Sequence, residues 1–536
     1  MSDAPATSSH ARLYWAYRHT SEWLMDALRH HRPLLVKILC ALVLTIWFSR
    51  VAIHPYVIIL RTHIALILIM AALPAIGWIV VRKRSWIPKT VMLIATGLMI
   101  LIVVSDTGRD FHRYMSLWSQ YQQLSVVEID ELFESDDERY YPRHAIYSRA
   151  VEIMQENHQM PTIPAVVRMR SQNYWTMAVE PEPFLLRLFG EVQHLISIPV
   201  NTVAPDFSHK IPVRFDISPS LLLSHNTQGA VTRKFGLWRY LNYEPSDVIF
   251  VRNDQGEFVQ IVSLIRWRGF IFPRREFGGV VIISQRNDKN ILHAVTSTIE
   301  RIMIGRGTWI RPKDIHQYAF LIGQDTLPFA VSRFQAESFR FQEGIKGPLP
   351  GFRKGDIRIP DMPGDMNQQP FTETFINAKN RVAELYHYYG LEPYSAEKRA
   401  LNTSLFFPAD GTRVVYVLRH YKNEDRSPIG VSAIAAKVRD DKKDYKWDET
   451  RPVEHRPYFK RIHGRVRPAF LTTVITLAEK HGKFFVASTV PELAITDAEY
   501  PKPVWVDTLH PDTWIPQIEK TLEPFFAAEK KRASSE

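Results

Sequence analysis

The pattern of apolar and polar positions divides the chain before any other property is considered. Between Pro33 and Val104, three runs are almost wholly apolar: Leu34–Phe48, Thr62–Val81 and Thr90–Val104. Short basic clusters separate them. The second run alone is long enough, as a helix, to cross a hydrocarbon layer of about 30 Å. The pattern therefore predicts an α-helical membrane anchor of three spans, followed by a large α+β, β-rich domain of antiparallel sheets with packed helices. Six segments follow from it: a cytoplasmic stretch 1–32, the anchor 33–105, a first α+β domain 106–343, a Pro/Gly-rich linker or loop 344–370, a second α+β domain 371–526, and a disordered tail 527–536.

Beyond Ser105 the periodicity alternates between 3.6 and 2. Phe111, Tyr114, Met115, Trp118 and Tyr121 make a helical stripe, and Ala145, Ile146, Ala150, Val151 and Met154 mark a second amphipathic helix. Residues 165–181 read as two strands joined near Arg170–Asn173, and 184–200 as a short helix followed by a strand. Asp247–Ser284 is the clearest sheet region, with a hairpin turn at Asn253–Gly256. The stretch 371–390 predicts a helix with Phe371, Phe375, Ala378, Val382, Leu385 and Tyr389 on one face and Gly390 as its C-cap. A hairpin about Asp410–Gly411 follows. Strands are predicted at 430–438, 468–477, 483–488 and 503–507, and a last helix near Trp514–Phe526.

Charge changes the picture only once it is split. The net +11 suggests a nucleic-acid partner, but residues 1–105 carry 11 Lys and Arg against 3 acids, a net +8, leaving +3 for the rest. Most of the basic excess flanks apolar runs, where it sets orientation, and a nucleic-acid partner loses its support. Arg29 and Arg32 precede the first run and Lys37 lies near its start, and Arg82, Lys83, Arg84 and Lys89 separate the second from the third. The positive-inside rule puts both groups in the cytoplasm and the large domain outside or in a periplasm. No Asp, Glu or Arg lies well inside a predicted span, so the reading is an anchor rather than a transport pathway. The single cysteine, Cys40, sits in the first run, which excludes a disulfide framework, a thiol nucleophile or a cysteine metal site in the α+β part.

Candidate chemistry is sparse. Walker A, His-Glu-x-x-His and Gly-x-Ser-x-Gly patterns are missing, and no catalytic residue, metal ligand or cofactor motif emerges. His455, His463 and His481 lie near Glu454 without a ligand spacing. The sharpest local feature is IRWRGFIFPRREF, in which Arg266, Arg268, Arg274 and Arg275 alternate with Trp267, Phe270, Phe272 and Phe277. On a sheet, one face would be aromatic core and the other solvated arginine. Alternatively, Arg266, Trp267, Arg268, Arg274 and Arg275 contact a ligand or anionic lipid headgroups. Asp356, Asp361 and Asp365 in the Pro/Gly-rich loop form a second candidate, able to hold a cation or a sugar.

Two stretches, AIYSRAVEIMQENHQMPTIPAVVRMRSQNYWTMAVEP and the pair DQGEFVQIVSLI and FGGVVIIS, resemble PepSY-type modules, exported units in which a helix packs on an antiparallel sheet. Ser284 and Asn287 stand near the place of that module's closing Asp-x-x-x-Gly. The resemblance implies an envelope binding module and carries over no functional residue. Together these features predict a membrane-anchored, non-enzymatic envelope protein whose external domain binds or scaffolds other envelope components. The alternatives are an accessory subunit of a secretion or transport complex, and an envelope hydrolase or transferase using the acidic loop.

Overall fold

The computed structural model describes residues 49–68, 106–136, 139–155, 157–170, 172–286, 304–345, 356–361, 368–377, 381–394, 400–420, 428–443, 445–447, 450–480, 483–486 and 492–533, with isolated residues 72 and 97. The chain divides into two units, Met1–Val57 and Ile58–Glu536, and the sheets among the described residues belong to the second. Its helices, with the one that leads into it, are α1 (Ser49–Leu68), α2 (Asp106–Tyr121), α3 (Arg143–Gln155), α4 (Phe184–Phe189), α5 (Thr227–Lys234), α6 (Leu237–Asn242), α7 (Phe329–Ser338), α8 (Val431–Asp441) and α9 (Trp514–Ala533).

The three-span anchor does not hold. Among the described residues one helix, α1, is long and apolar enough to cross a membrane. It occupies residues 49–61, which the three-span reading needs as the loop between spans one and two. The three-span reading leaves Arg50, His54 and Arg61 in that loop, out of the hydrocarbon where a charge is costly. Here Arg61 lies well inside the helix and finds polar partners in the α+β domain. Its Nε donates to Asn242 Oδ1 (3.3 Å) and its Nη2 to the carbonyl of Gly269 (2.7 Å). Ile58, Thr62 and Ala65 are buried on the same helical face. Apart from Ala72 and Gly97, the apolar residues 34–48, 69–81 and 90–104 lie outside the described residues.

The α+β character of the rest is as expected. The largest sheet runs, edge to edge, Ser125–Glu128, Val414–Arg419, Thr403–Pro408, Ala383–Pro393, Phe371–Ile376 and Glu134–Ser135, with Ile357–Arg358 added beside Ala383–Pro393. Its pairs are antiparallel except the first. Strands before and after the Pro/Gly-rich stretch thus share one sheet. A second sheet holds Gln159–Pro161, Ala165–Met169, Gln172–Pro181, Val192–Pro199 and Lys210–Phe215. A third orders Thr308–Ile310, Arg274–Ser284, Phe258–Arg268 and Tyr243–Arg252. The fourth is built from Thr450–Pro457, Ala469–Lys480, Lys483–Val486, Glu492–Asp497 and Pro503–Val506. Helix α3 buries Ala145, Ile146, Ala150 and Met154 in a core shared with Val166, Trp175, Met177 and Ile196 of the second sheet.

Two local expectations are overturned. In place of the helix expected at 371–390, Phe371–Ile376 and Ala383–Pro393 pair as antiparallel strands, Phe371 opposite Tyr388 and Phe375 opposite Glu384, while Ala378 lies outside the described residues. Phe371 and Phe375 satisfy helical and strand spacing alike, and Glu373 between them masks the alternation because it is buried as an ion. The aromatic residues Tyr386 and Tyr388 then pack on Phe133, Phe406 and Phe459, which decides for the sheet. Gly390 lies mid-strand, where a Cβ would press on Leu401 at 3.0 Å. Conversely, 430–438 is not a strand but the start of α8. Its buried Val431, Ile434 and Val438 follow helical spacing. Glu392 holds its first turn by accepting from the Ser432 N–H (2.8 Å) and hydroxyl (2.5 Å).

Candidate functional site: a charged cleft where the sheets meet

A cavity of about 610 Å³ opens where the four larger sheets converge. Helix α3 supplies Arg143, His144 and Tyr147, the second sheet Val166 and Trp175, and the third Asp247. Asp325 and Phe329 come from the entry to α7, Thr372 from the largest sheet and Glu454 from the fourth. Its volume lies within the range usual for small-molecule sites.

The floor is a buried ionic network. Arg139 Nη2 meets Glu454 Oε1 at 2.7 Å and Glu373 Oε1 at 2.9 Å, and Arg456 Nη1 lies 3.6 Å from Glu454 Oε2. All four side chains are less than a tenth exposed. Glu454 reaches the floor through an irregularity: the strand register shifts between Val453 and His455, and Glu454 takes φ +47°. Such a bulge re-aims a side chain at the cost of local strain. Burial pulls Arg456 down to about 10, with Glu454 opposing the fall, so the guanidinium stays charged at neutral pH. Arg139 also lies over the Trp175 ring at 5.1 Å.

The wall carries the accessible chemistry. Arg143 donates through Nε to the Pro164 carbonyl (2.9 Å) and stacks on Phe329 at 5.2 Å. It makes no ion pair among the described residues. Burial lowers it, and Asp247, Asp325 and Glu454 act against that. Asp247 caps α7 from another element, its Oδ2 accepting the Phe329 N–H at 3.0 Å. Burial and, more weakly, the neighbouring Asp325 raise its pKa above the ordinary carboxylate value, opposed by the Phe329 bond and Arg143. Arg143 and Asp247 each keep some accessible surface, but it faces the cavity rather than bulk water.

Behind the wall runs a hydrogen-bonded chain. Asp325 Oδ1 is 2.7 Å from His387 Nε2, His387 Nδ1 is 2.9 Å from Ser332 Oγ, and Ser332 Oγ is 3.0 Å from the Tyr389 hydroxyl. Ser332 Oγ also donates to the Phe329 carbonyl at 3.2 Å, which leaves the Tyr389 hydroxyl as a donor to Ser332. The composition is that of a Ser-His-Asp triad, but Ser332 is fully buried and does not line the cavity. It cannot act as a nucleophile there. The chain orients Asp325.

The residues singled out from sequence lie elsewhere. In the hairpin of the third sheet, Arg274 stands opposite Arg268, Arg275 opposite Trp267 and Glu276 opposite Arg266. Arg266, Arg268 and Arg274 therefore share one face, while Trp267 and Arg275 share the other. Arg275 is sandwiched between Trp267 (4.9 Å) and Phe334 (5.3 Å), so the arginines do not all fall on the solvated side. Asp356 is buried 3.4 Å from Arg340, Asp361 is exposed beside Gln368, and Asp365 lies outside the described residues. Gln368 and Pro370, at the end of the same Pro/Gly-rich stretch, do reach the cleft. His455 is buried against Thr472, and no His, Cys, Asp or Glu group suited to a metal occurs among the described residues.

Arg143, Asp247, Asp325 and His387 escaped the sequence reading, since they come from four distant segments and share no local motif, and Glu454 drew notice only beside the histidines of its own region. Only the isolated Asp247 at the head of an apolar strand was a signal. Comparison with protein families, curated proteins and solved structures gave no match.

Proposed function

We propose that this chain is a membrane-anchored binding protein whose α+β domain captures a small hydroxyl-rich component of the cell envelope in the charged cleft. The observation that carries the reading is the meeting of Arg143 with Asp247 and Asp325 beside the rings of Phe329 and Trp175. Carboxylates accept from neighbouring hydroxyls, a guanidinium donates to them, and an aromatic face covers the C–H side of a sugar-like ring. The Trp175 indole N–H is buried with no hydrogen-bond partner among the described residues. The floor balances two cations with two anions, so the cleft carries little net charge and favours a neutral ligand. The apolar N-terminal region and the PepSY-type resemblance support the membrane and envelope part of the proposal.

Isothermal titration of the purified full chain in detergent with a panel of mono- and disaccharides tests this. Binding should weaken at least about tenfold in Arg143→Ala and Asp325→Asn, both removing charge-assisted hydrogen bonds. Equal affinity in parent and variants, or no sugar bound by the parent, would remove the proposal.

One observation favours a second reading, a hydrolase acting on glycosides. Asp247, whose pKa is raised chiefly by burial, shares the cleft with a second carboxyl group, Asp325, the pairing that a general acid and its partner require. Turnover of a chromogenic glycoside that disappears in Asp247→Asn while sugar binding persists would establish it. Binding without turnover in the parent would exclude it for that substrate.

A further inference from the structure

A second cavity of about 510 Å³ lies against the arginine-bearing face of the hairpin Phe258–Ser284. Five cations line it, Arg266, Arg268, Arg311, Lys313 and Arg413, against the carboxylates of Glu276 and Asp410. Glu276 is shared between Arg268 (3.2 Å) and Arg413 (3.8 Å), and Arg311 is held by Asp314 at 2.6 Å. Arg266 and Lys313 form no ion pair among the described residues. Positive charge therefore remains after every internal pairing.

The floor is aromatic: Tyr243 and Trp309 meet edge to face at 6.0 Å, and the Arg266 guanidinium lies 5.8 Å from the Tyr243 ring centre. Tight backbone packing keeps the floor open. At Gly411, φ +79°, a Cβ would come within 2.2 Å of the Phe277 ring, and at Gly278 within 3.0 Å of Tyr243. A cluster of guanidinium groups on a surface wall would be solvated individually. Within a concave site their fields add, and planar forks match phosphate oxygens two at a time.

We propose that this cavity binds a phosphate-bearing ligand, with Arg266 and Arg268 as the principal contacts and Lys313 and Arg413 closing the rim. Two sources can present that chemistry. Gly269, next to Arg268, accepts from Arg61 of the apolar helix α1, which brings the site close to the segment proposed as anchor and within reach of a phospholipid headgroup. A free phosphorylated compound is the other source. The site shares none of its lining with the charged cleft, so neither proposal depends on the other.

Titration of the full chain in nonionic detergent with inorganic pyrophosphate and, separately, dioctanoyl phosphatidic acid tests the proposal. The double variant Arg266→Ala/Arg268→Ala should lose at least about tenfold in affinity, two bidentate contacts being removed. Glu276→Gln should gain severalfold by releasing Arg268 and Arg413, and a gain of function cannot be produced by misfolding. Binding of both probes assigns the site to phosphate as such, and binding of the lipid alone assigns it to a headgroup; either result supports it. Failure of the parent to bind both probes, or equal affinity in parent and double variant, overturns it.

Discussion

The two cavities use the same side chains to opposite ends. In the charged cleft, Arg139, Arg456, Glu373 and Glu454 are nearly removed from water and pair with one another, so their charge is spent on internal geometry. In the basic cavity, Arg268 and Arg413 are about 40% and 70% exposed and share one carboxylate, leaving charge available to a ligand. The contrast teaches that burial, rather than the presence of arginine and glutamate, decides what an ionic cluster does. Desolvation makes a buried pair intolerant of losing a partner, whereas a solvated pair contributes little to stability.

Breaking the cleft floor should have the largest effect. Glu454→Ala leaves Arg139 and Arg456 without their shared carboxylate and should cost ~3–5 kcal/mol in denaturant unfolding. Glu454→Gln keeps an acceptor and should cost less; equal stability of all three proteins would mean that the network is not a structural floor. Acid should act next. His455, fully buried beside Thr472, is depressed to about 3, and His420 to about 4, both by burial. A depressed histidine contributes stability above its unfolded value near 6.5 and loses it as pH falls towards the folded value. Unfolding free energy should therefore drop below about pH 6.5, and His455→Gln should flatten that slope.

Asp247 works in the reverse direction. Its folded pKa is raised, so its contribution is full below the ordinary carboxylate value and fades as pH rises through the raised one. Asp247→Asn should stabilise the protein at neutral pH relative to the parent, and the two should converge near pH 4. An unchanged difference across that range would show that Asp247 is not perturbed. The smallest effect belongs to the basic cavity: Arg268→Ala should change stability by no more than ~0.5 kcal/mol, as for other exposed pairs. A loss comparable with that of Glu454→Ala would erase the distinction between the two regions.

Legibility of the fold followed the range of the interactions. The hairpin about Asn253–Gly256 was readable because Asn253 Oδ1 accepts the N–H groups of Gln255 and Glu257 and Gly256 takes φ +81°, all within five residues. Helix α3 was readable because its buried positions recur at helical spacing. The strand pair at 371–390 was misread because its decisive contacts, to Phe133, Phe406 and Phe459, lie far away in sequence. Helix α8 was misread for the same reason, since the carboxylate that caps it belongs to Glu392. In helix α1, the polar partners of Arg61 are Asn242 and Gly269, about two hundred residues on.

By itself the sequence determined the α+β class, most strand and helix positions, the concentration of basic charge around the apolar runs, and the arginine-aromatic hairpin that lines the second cavity. These depend on periodicity, turn chemistry and composition, which are properties of neighbours along the chain. Only the tertiary structure decided that residues 49–68 form one helix, that Arg275 turns inward while Arg266 and Arg268 face a cavity, and that Arg143, Asp247, Asp325 and Glu454 meet. The physical reason is that the energy of a charged group is set by what desolvates and pairs it, and in this protein those partners are supplied by other sheets.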